Sequence, residues 1–249
     1  MNYRHIAFVF ALAFTPLIAP ASAEPRAVVE LFTSQGCSSC PAADKLMGEL
    51  AKDPSLVTMS LAVDYWDYLG WKDTLALHGH TLRQRAYADV RGDRAVYTPQ
   101  VVINGVVHVL GSDKDAIEKA IAETRSTASP LKIPVTMSVA DGKVTVNVAA
   151  VTGGAQSAEV WLCPITAKTP VMISRGENTG KTLTYNNVVR RWVKLGDWNG
   201  KAANFSVSVA DLPQGEYSLG DIDRVDVVVQ AGNAEKPGLM LGAATAALR

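Results

Sequence analysis

Hydrophobic and polar positions follow two different rhythms along this chain, and the change falls near residues 126–130. Ahead of it, apolar runs and helical periodicities take turns. Residues 26–32 read as a strand in which Val28, Val29, Leu31 and Phe32 are interrupted by Glu30. Residues 41–52 set Ala43, Leu46, Met47 and Leu50 at helical spacing, and after the Asp53-Pro54 turn residues 56–63 read as a second strand. Residues 71–88 read as one or two helices. Residues 101–103 and 106–110 flank Asn104-Gly105, a pair that favours the type I′ turn matching strand twist, and so predict a hairpin. Ser112, with Asp115 three residues on, predicts the N-cap of a helix through Ile117, Ala120 and Ile121 to about residue 125.

Past residue 130 the texture is nearly all strand. Val144, Val146 and Val148 alternate with Lys143, Thr145 and Asn147, and Phe205, Val207 and Val209 alternate with Asn204, Ser206 and Ser208. Strict period two buries one face and wets the other. Further strands are predicted at 131–139, 158–165, 182–194, 225–230 and 239–246. The expected fold class is therefore an α/β N-terminal domain at 24–127, with an insert at about 64–95, followed by an all-β, β-sandwich-like domain at 128–249.

Arg4 and His5 precede an apolar stretch at 6–19, and Ala21-Ser22-Ala23 supplies small residues for cleavage, so residues 1–23 read as a secretory signal peptide with Glu24 as the first mature residue. The apolar stretch contains Pro16, and no later segment reaches the roughly 20 apolar residues that a membrane span needs. The expected protein is periplasmic or secreted, without stable membrane insertion, in a compartment where disulfides persist. Lys plus Arg and Asp plus Glu number 24 each, and this zero net charge gives no support for nucleic-acid binding. Three cysteines leave one over after the closest pair, so conventional cores, not a disulfide framework, must hold the chain.

The chemistry concentrates at Gly36-Cys37-Ser38-Ser39-Cys40-Pro41, a C-x-x-C between a predicted strand and a predicted helix. A thiolate at a helix N-terminus is favoured by unpaired backbone N–H groups and the helix dipole, which makes Cys37 the expected nucleophile. Cys40, one turn further in, is expected to resolve a mixed disulfide and to be the more buried of the two. Pro41 suits the first turn, where its missing N–H costs nothing. Other readings stay open. A structural zinc site needs four ligands, and Cys163, His78, His80 and His108 form no second pair at the usual spacing, so no metal ligand is assigned. Cu(I) suits thiolates, with a His drawn from the insert. A merely structural disulfide closing a small loop is the third.

The insert is rich in Tyr65, Trp66, Tyr68 and Trp71, with Asp64, Asp67 and Asp73 among them, and Tyr87 and Tyr97 follow. Two readings stand: an aromatic, acidic wall beside Cys37 that holds a peptide or small thiol, or ordinary helix packing with capping aspartates. Under the first, Trp66, Trp71, Tyr97 and Thr98 are the candidate substrate-binding residues. His78-Gly79-His80 reads as an exposed loop pair and Cys163 as a buried small hydrophobe. Arg190 and Arg191 read as solvated or salt-bridged, or as carboxylate binders at an interface.

Tyr97-Thr98-Pro99, just before the hairpin, resembles the Thr-Pro of the thioredoxin superfamily, whose proline is cis and packs against the active-site sulfurs. The resemblance implies a thioredoxin-like fold for residues 26–125 and adds Pro99 to Cys37 and Cys40 as catalytic residues. It also places Glu30 where those proteins carry a buried acid. Glu30 then either takes the proton of Cys40 or is a partly exposed strand residue. More closely, the chain resembles a secreted bacterial family known as domain of unknown function 1223. That match is carried by Glu30 through Pro41, Val63 through Trp71, Arg83-Gln84, Tyr97 through Gln100, Gly176-Glu177-Asn178 and Asn187 through Arg190. The expected function is thiol-disulfide exchange with a protein or small-thiol partner, without an organic cofactor. The alternative is a non-enzymatic copper-binding or partner-binding protein on the same scaffold.

Overall fold

The computed structural model describes residues 24–152, 157–212 and 217–248, so the predicted signal peptide lies outside the described residues. The chain runs β1 (Ala27–Thr33), α1 (Pro41–Leu50), β2 (Leu56–Ala62), a 3-10 turn (Asp67–Leu69), α2 (His78–Arg91), β3 (Gln100–Ile103), β4 (Val107–Leu110) and α3 (Lys114–Thr127). Strands follow: β5 (Val135–Ala140), β6 (Lys143–Val148), β7 (Ala158–Met172), β8 (Thr182–Val189), β9 (Val193–Trp198), β10 (Ala203–Ser208), β11 (Arg224–Asn233) and β12 (Lys236–Ala247).

A nine-stranded mixed sheet has the order β12-β11-β7-β8-β2-β1-β3-β4, with β9 also pairing β7. β1 is parallel to β2 and antiparallel to β3, and β7 takes β11 on one edge and β9 then β8 on the other. Three strands, β10-β6-β5, form a second antiparallel sheet. Its Val144, Val146 and Val148 share a core with Val160, Leu162, Val225, Val227 and Val229 of the larger sheet, as the period-two patterns require.

β1 is buried on both faces, and its alternation divides two cores. Ala27, Val29 and Leu31 pack with Ala43, Leu46 and Met47 of α1 and Ile117, Ala120 and Ile121 of α3. Val28 and Phe32 face the other way, onto Tyr87 of α2 together with Cys163, Val228 and Met240. That second core mixes residues from both sides of the expected boundary at 127/128. The sheet crosses it too: β2 pairs β8 at Ser60 and Val188, and the Leu131 and Ile133 amides donate to the carbonyls of Met240 and Leu241. At the β3–β4 turn Gly105 has φ +78, and a Cβ there would run into the Gly238 carbonyl oxygen of the β11–β12 hairpin.

Several local expectations shift. The N-cap of α3 is Asp113, whose side chain accepts from the Ala116 amide at 2.9 Å, and not Ser112. Residues 71–77 are not helical; they hydrogen-bond back to the loop after β1, which satisfies polar groups that a helix would otherwise consume. His78 and His80 open α2 instead of lying in a loop, and His80 is fully buried. The single strand expected at 182–194 is two, separated by Arg190-Arg191-Trp192.

Candidate functional site

Cys37 and Cys40 form a disulfide in the turn between β1 and α1. The Cys37 amide donates to Ser34 O, the Cys40 amide to Cys37 O, and Cys40 is the N-cap of α1 with Pro41 at its first turn. Residues that sequence separates by 30 to 140 positions converge on this turn.

The Thr98–Pro99 peptide is cis. Pro99 and Ala43 of α1 both lie against Gly111, within 3.1 and 3.3 Å of where a Cβ would stand. The Thr98 carbonyl accepts a 3.5 Å hydrogen bond from the Ser39 hydroxyl, and the Thr98 hydroxyl accepts one of 2.8 Å from the Trp66 indole. Trp66 lies over Gly36, its Cβ 3.0 Å from the position of an added Cβ, and stacks on Tyr68, which is 78% exposed.

The connection between β7 and β8 caps the turn. The Asn178 side-chain amide donates to the carbonyls of Gln35 and Cys37, both at 2.9 Å, and the Glu177 carboxylate accepts from the Ser38 amide at 3.2 Å. Together these neighbours leave neither sulfur-bearing residue any exposed surface, whereas Ser38 and Ser39 are exposed. Contrary to expectation, Cys40 is not the more buried of the two, because Cys37 is buried equally. The cap from residues 176–178 comes from a distant segment whose docking no local pattern encodes.

Glu30 is fully buried, so its reading as a partly exposed strand residue is corrected. Its alternation with Val29 and Leu31 turns it away from the face that carries α1. Arg83 Nε donates to one carboxylate oxygen at 2.8 Å and the Tyr87 hydroxyl to the other at 2.6 Å. Arg83 also donates to Gln230 Oε1 and lies 3.9 Å from the Trp192 ring centroid. Both oxygens thus serve an ion-pair network on the α2 face, which is why an acid is tolerated inside an apolar strand.

The acid on the cysteine side is Asp44, one turn into α1, whose amide donates to Cys40 O. Its Oδ1 accepts from the Thr33 hydroxyl at 2.8 Å, and its Oδ2 is buried without a partner. Burial pushes its carboxyl up to about 8, against the lowering effect of the Thr33 hydrogen bond and with help from the charge of Asp73. Asp73 accepts from the Gln35 amide at 2.7 Å and the Leu75 amide at 2.8 Å, and burial pushes it up to about 6 despite these bonds. No motif in the sequence singles out Asp44. The available signal was a charge next to Ala43 and three residues from Met47, on the edge of the buried stripe.

Of the other expected residues, Trp71 joins the turn and the rest lie elsewhere. Trp71 donates to Gln35 Oε1 at 2.8 Å and so anchors the turn. The Tyr97 hydroxyl pairs with His108 Nδ1 at 2.9 Å, on β4. His78 pairs with Asp64 and His80 with Ala62 O, and among the described residues no three His, Cys, Asp or Glu side chains stand together as a metal site. Cys163 is buried and free, as expected. No helix among the described residues is long and apolar enough to cross a membrane.

A protein-family model described as "Protein of unknown function (DUF1223)" matches residues 28–230. Among curated proteins none matches. The crystal structure of protein AGR_C_4864 from Agrobacterium tumefaciens is similar, with 31% sequence identity and a TM-score of 0.76 over 89% of this chain and 94% of that one.

Proposed function

The chain belongs to the DUF1223 family, whose description names no activity, and from the site itself we propose that it is an exported thiol-disulfide exchange protein with a thioredoxin-like unit at 24–127. The observation that carries this reading is the Cys37–Cys40 disulfide at the start of α1, whose intervening Ser39 hydroxyl donates to the Thr98 carbonyl at 3.5 Å. A cleaved signal at 1–23 would deliver it to the periplasm or the exterior, where disulfides persist.

In one direction a thiolate of the partner attacks Sγ of Cys37. The Cys37–Cys40 bond breaks, a mixed disulfide forms, and the electron pair leaves on Cys40 Sγ. A second partner thiolate then attacks the mixed disulfide and releases Cys37, so the partner dithiol is oxidised by two electrons and the Cys37–Cys40 pair is reduced. Asp44, four residues along the same helix from Cys40, is the group suited to give Cys40 its proton in this direction and to take it in reverse, because its carboxyl changes state near neutral pH. Tyr68 and Trp66 offer the partner an aromatic surface beside the turn.

The full burial of both sulfurs supports a second reading, a structural disulfide that locks the turn to its cap. One experiment separates the two. In the native protein under dithiothreitol, exchange predicts two new thiols without unfolding, and Cys40→Ser expressed in an exporting host predicts mixed disulfides through Cys37 that vanish in the Cys37→Ser/Cys40→Ser double variant. A disulfide reduced only above the unfolding transition, with no trapped partner, establishes the structural reading.

A further inference from the structure

A cleft of about 960 Å³ opens on the α2 side of the sheet, bounded by α2, the approach to it at 72–77, and the Arg190-Arg191-Trp192 turn between β8 and β9. Nothing in the thiol chemistry uses it. Its volume is that of sites that enclose most of a small organic ligand.

The lining combines aromatic, aliphatic and basic side chains. Trp161 and Trp192 form an aromatic wall, edge to face with centroids 6.1 Å apart, and Trp192 is backed by the Arg83 guanidinium. Arg190, two residues before Trp192, is held by Thr166 at 2.8 Å through Nε and by Thr169 at 3.3 Å through one terminal nitrogen. Its second terminal nitrogen has no hydrogen-bond partner among the described residues; the guanidinium carbon lies 5.9 Å from the Tyr217 ring centroid, and burial lowers the pKa of Arg190 against the raising effects of Asp221 and Tyr217. Lys72, Arg85 and Arg191 also line the cleft without ion pairs among the described residues, against the two acids Asp89 and Glu235. Arg83 is already neutralised by Glu30.

His80 lies in the floor with no exposed surface, its Nδ1 3.0 Å from Ala62 O. A carbonyl only accepts, so Nδ1 carries the proton and Nε2 presents an unpaired lone pair. Buried and held neutral, His80 adds no charge deep in the cleft. The basic side chains of the lining thus outnumber its acids, and Leu75, Leu82 and Val189 add apolar surface beside the indoles.

We propose that this cleft binds an aromatic carboxylate, with the ring system on Trp161 and Trp192 and the carboxylate on the unsatisfied edge of Arg190. The excess of basic side chains in the lining raises the local concentration of anions, and a guanidinium whose remaining N–H groups point at a carboxylate supplies the charge-assisted bonds that distinguish an acid from its amide. The inference does not depend on the redox reading, since no residue of it touches the disulfide.

The test uses the full oxidised protein with naphthoate and its neutral isostere naphthamide, followed by tryptophan fluorescence and by the indole N–H resonances of the five tryptophans. Naphthoate should perturb Trp161 and Trp192, leave Trp66 and Trp71 unmoved, and bind about tenfold or more tightly than naphthamide. Arg190→Gln should abolish that preference, and Arg190→Lys should keep only part of it. Equal affinity for acid and amide in the wild type, a preference that survives Arg190→Gln, or shifts centred on Trp66 and Trp71 would each overturn the proposal. The wild-type comparison and shift map decide the matter even where a variant fails to fold.

Discussion

Asp44→Asn exchanges a buried acid for a group shaped like its protonated form, and its effect should depend on pH. Asp44 is pushed from 3.8 in the free chain to about 8 in the fold, first by burial. Between those values the folded protein keeps a proton that the unfolded chain has released. The stability tied to Asp44 is therefore fully present below about pH 4 and is lost as pH rises through about 8, at about 1.4 kcal/mol per pH unit, or on the order of 5 kcal/mol in all by about pH 9. Asn does not titrate, and its carbonyl still accepts from Thr33, so the variant should lack this slope. Asp73, pushed up to about 6, titrates in both proteins and cancels in the comparison to first order. The assay is urea unfolding of the oxidised protein at about pH 5 and about pH 9, where the wild type should lose several kcal/mol more than the variant and the variant should be the more stable at the higher pH. Parallel stabilities across that interval would refute the reasoning, because they would mean that Asp44 is ionised or solvated in the fold.

Two further substitutions probe the neighbouring contacts. Asn178→Ala removes both hydrogen bonds that fasten the cap to Gln35 and Cys37; the variant should lose about 1–3 kcal/mol, and dithiothreitol should reduce its disulfide severalfold faster than in the wild type. An unchanged reduction rate would show that the cap does not limit access. Arg83→Met strands the Glu30 charge in the core and should cost about 3–5 kcal/mol, much of it recovered in the Glu30→Gln/Arg83→Met double variant; a single variant as stable as the wild type in urea would show that Glu30 has other means of satisfaction.

The legible parts of the fold are those where a local pattern suffices. The hairpin turn at Asn104-Gly105, the C-x-x-C before α1 and the alternating strands β6 and β10 all stand where the residues predict them, because turn chemistry and period two act over a few positions. The N-cap of α3 shifted by one residue because Ser112 and Asp113 compete for one role and only backbone geometry selects between them. Glu30 was noticed and its partners were not: Arg83 and Tyr87 are 53 and 57 residues away, and Gln230, bonded to that Arg83, is further still. The same holds for Asn178 over the disulfide, 141 residues from Cys37.

By itself the sequence determined the position of the Cys37–Cys40 pair, the helix that starts at Pro41, and the two textures of the chain. These follow from spacing, proline and side-chain periodicity, which are local. The tertiary structure alone decided which face of β1 each acid serves. A strand reverses its side chains at every residue, so Glu30 went to Arg83 while Asp44, from the helix on the other face, bonds Thr33 through one oxygen and keeps the other buried without a partner. It also decided that the disulfide is closed over, since burial is a property of everything that packs on a residue, and the segments that pack on Cys37 come from beyond its own neighbourhood.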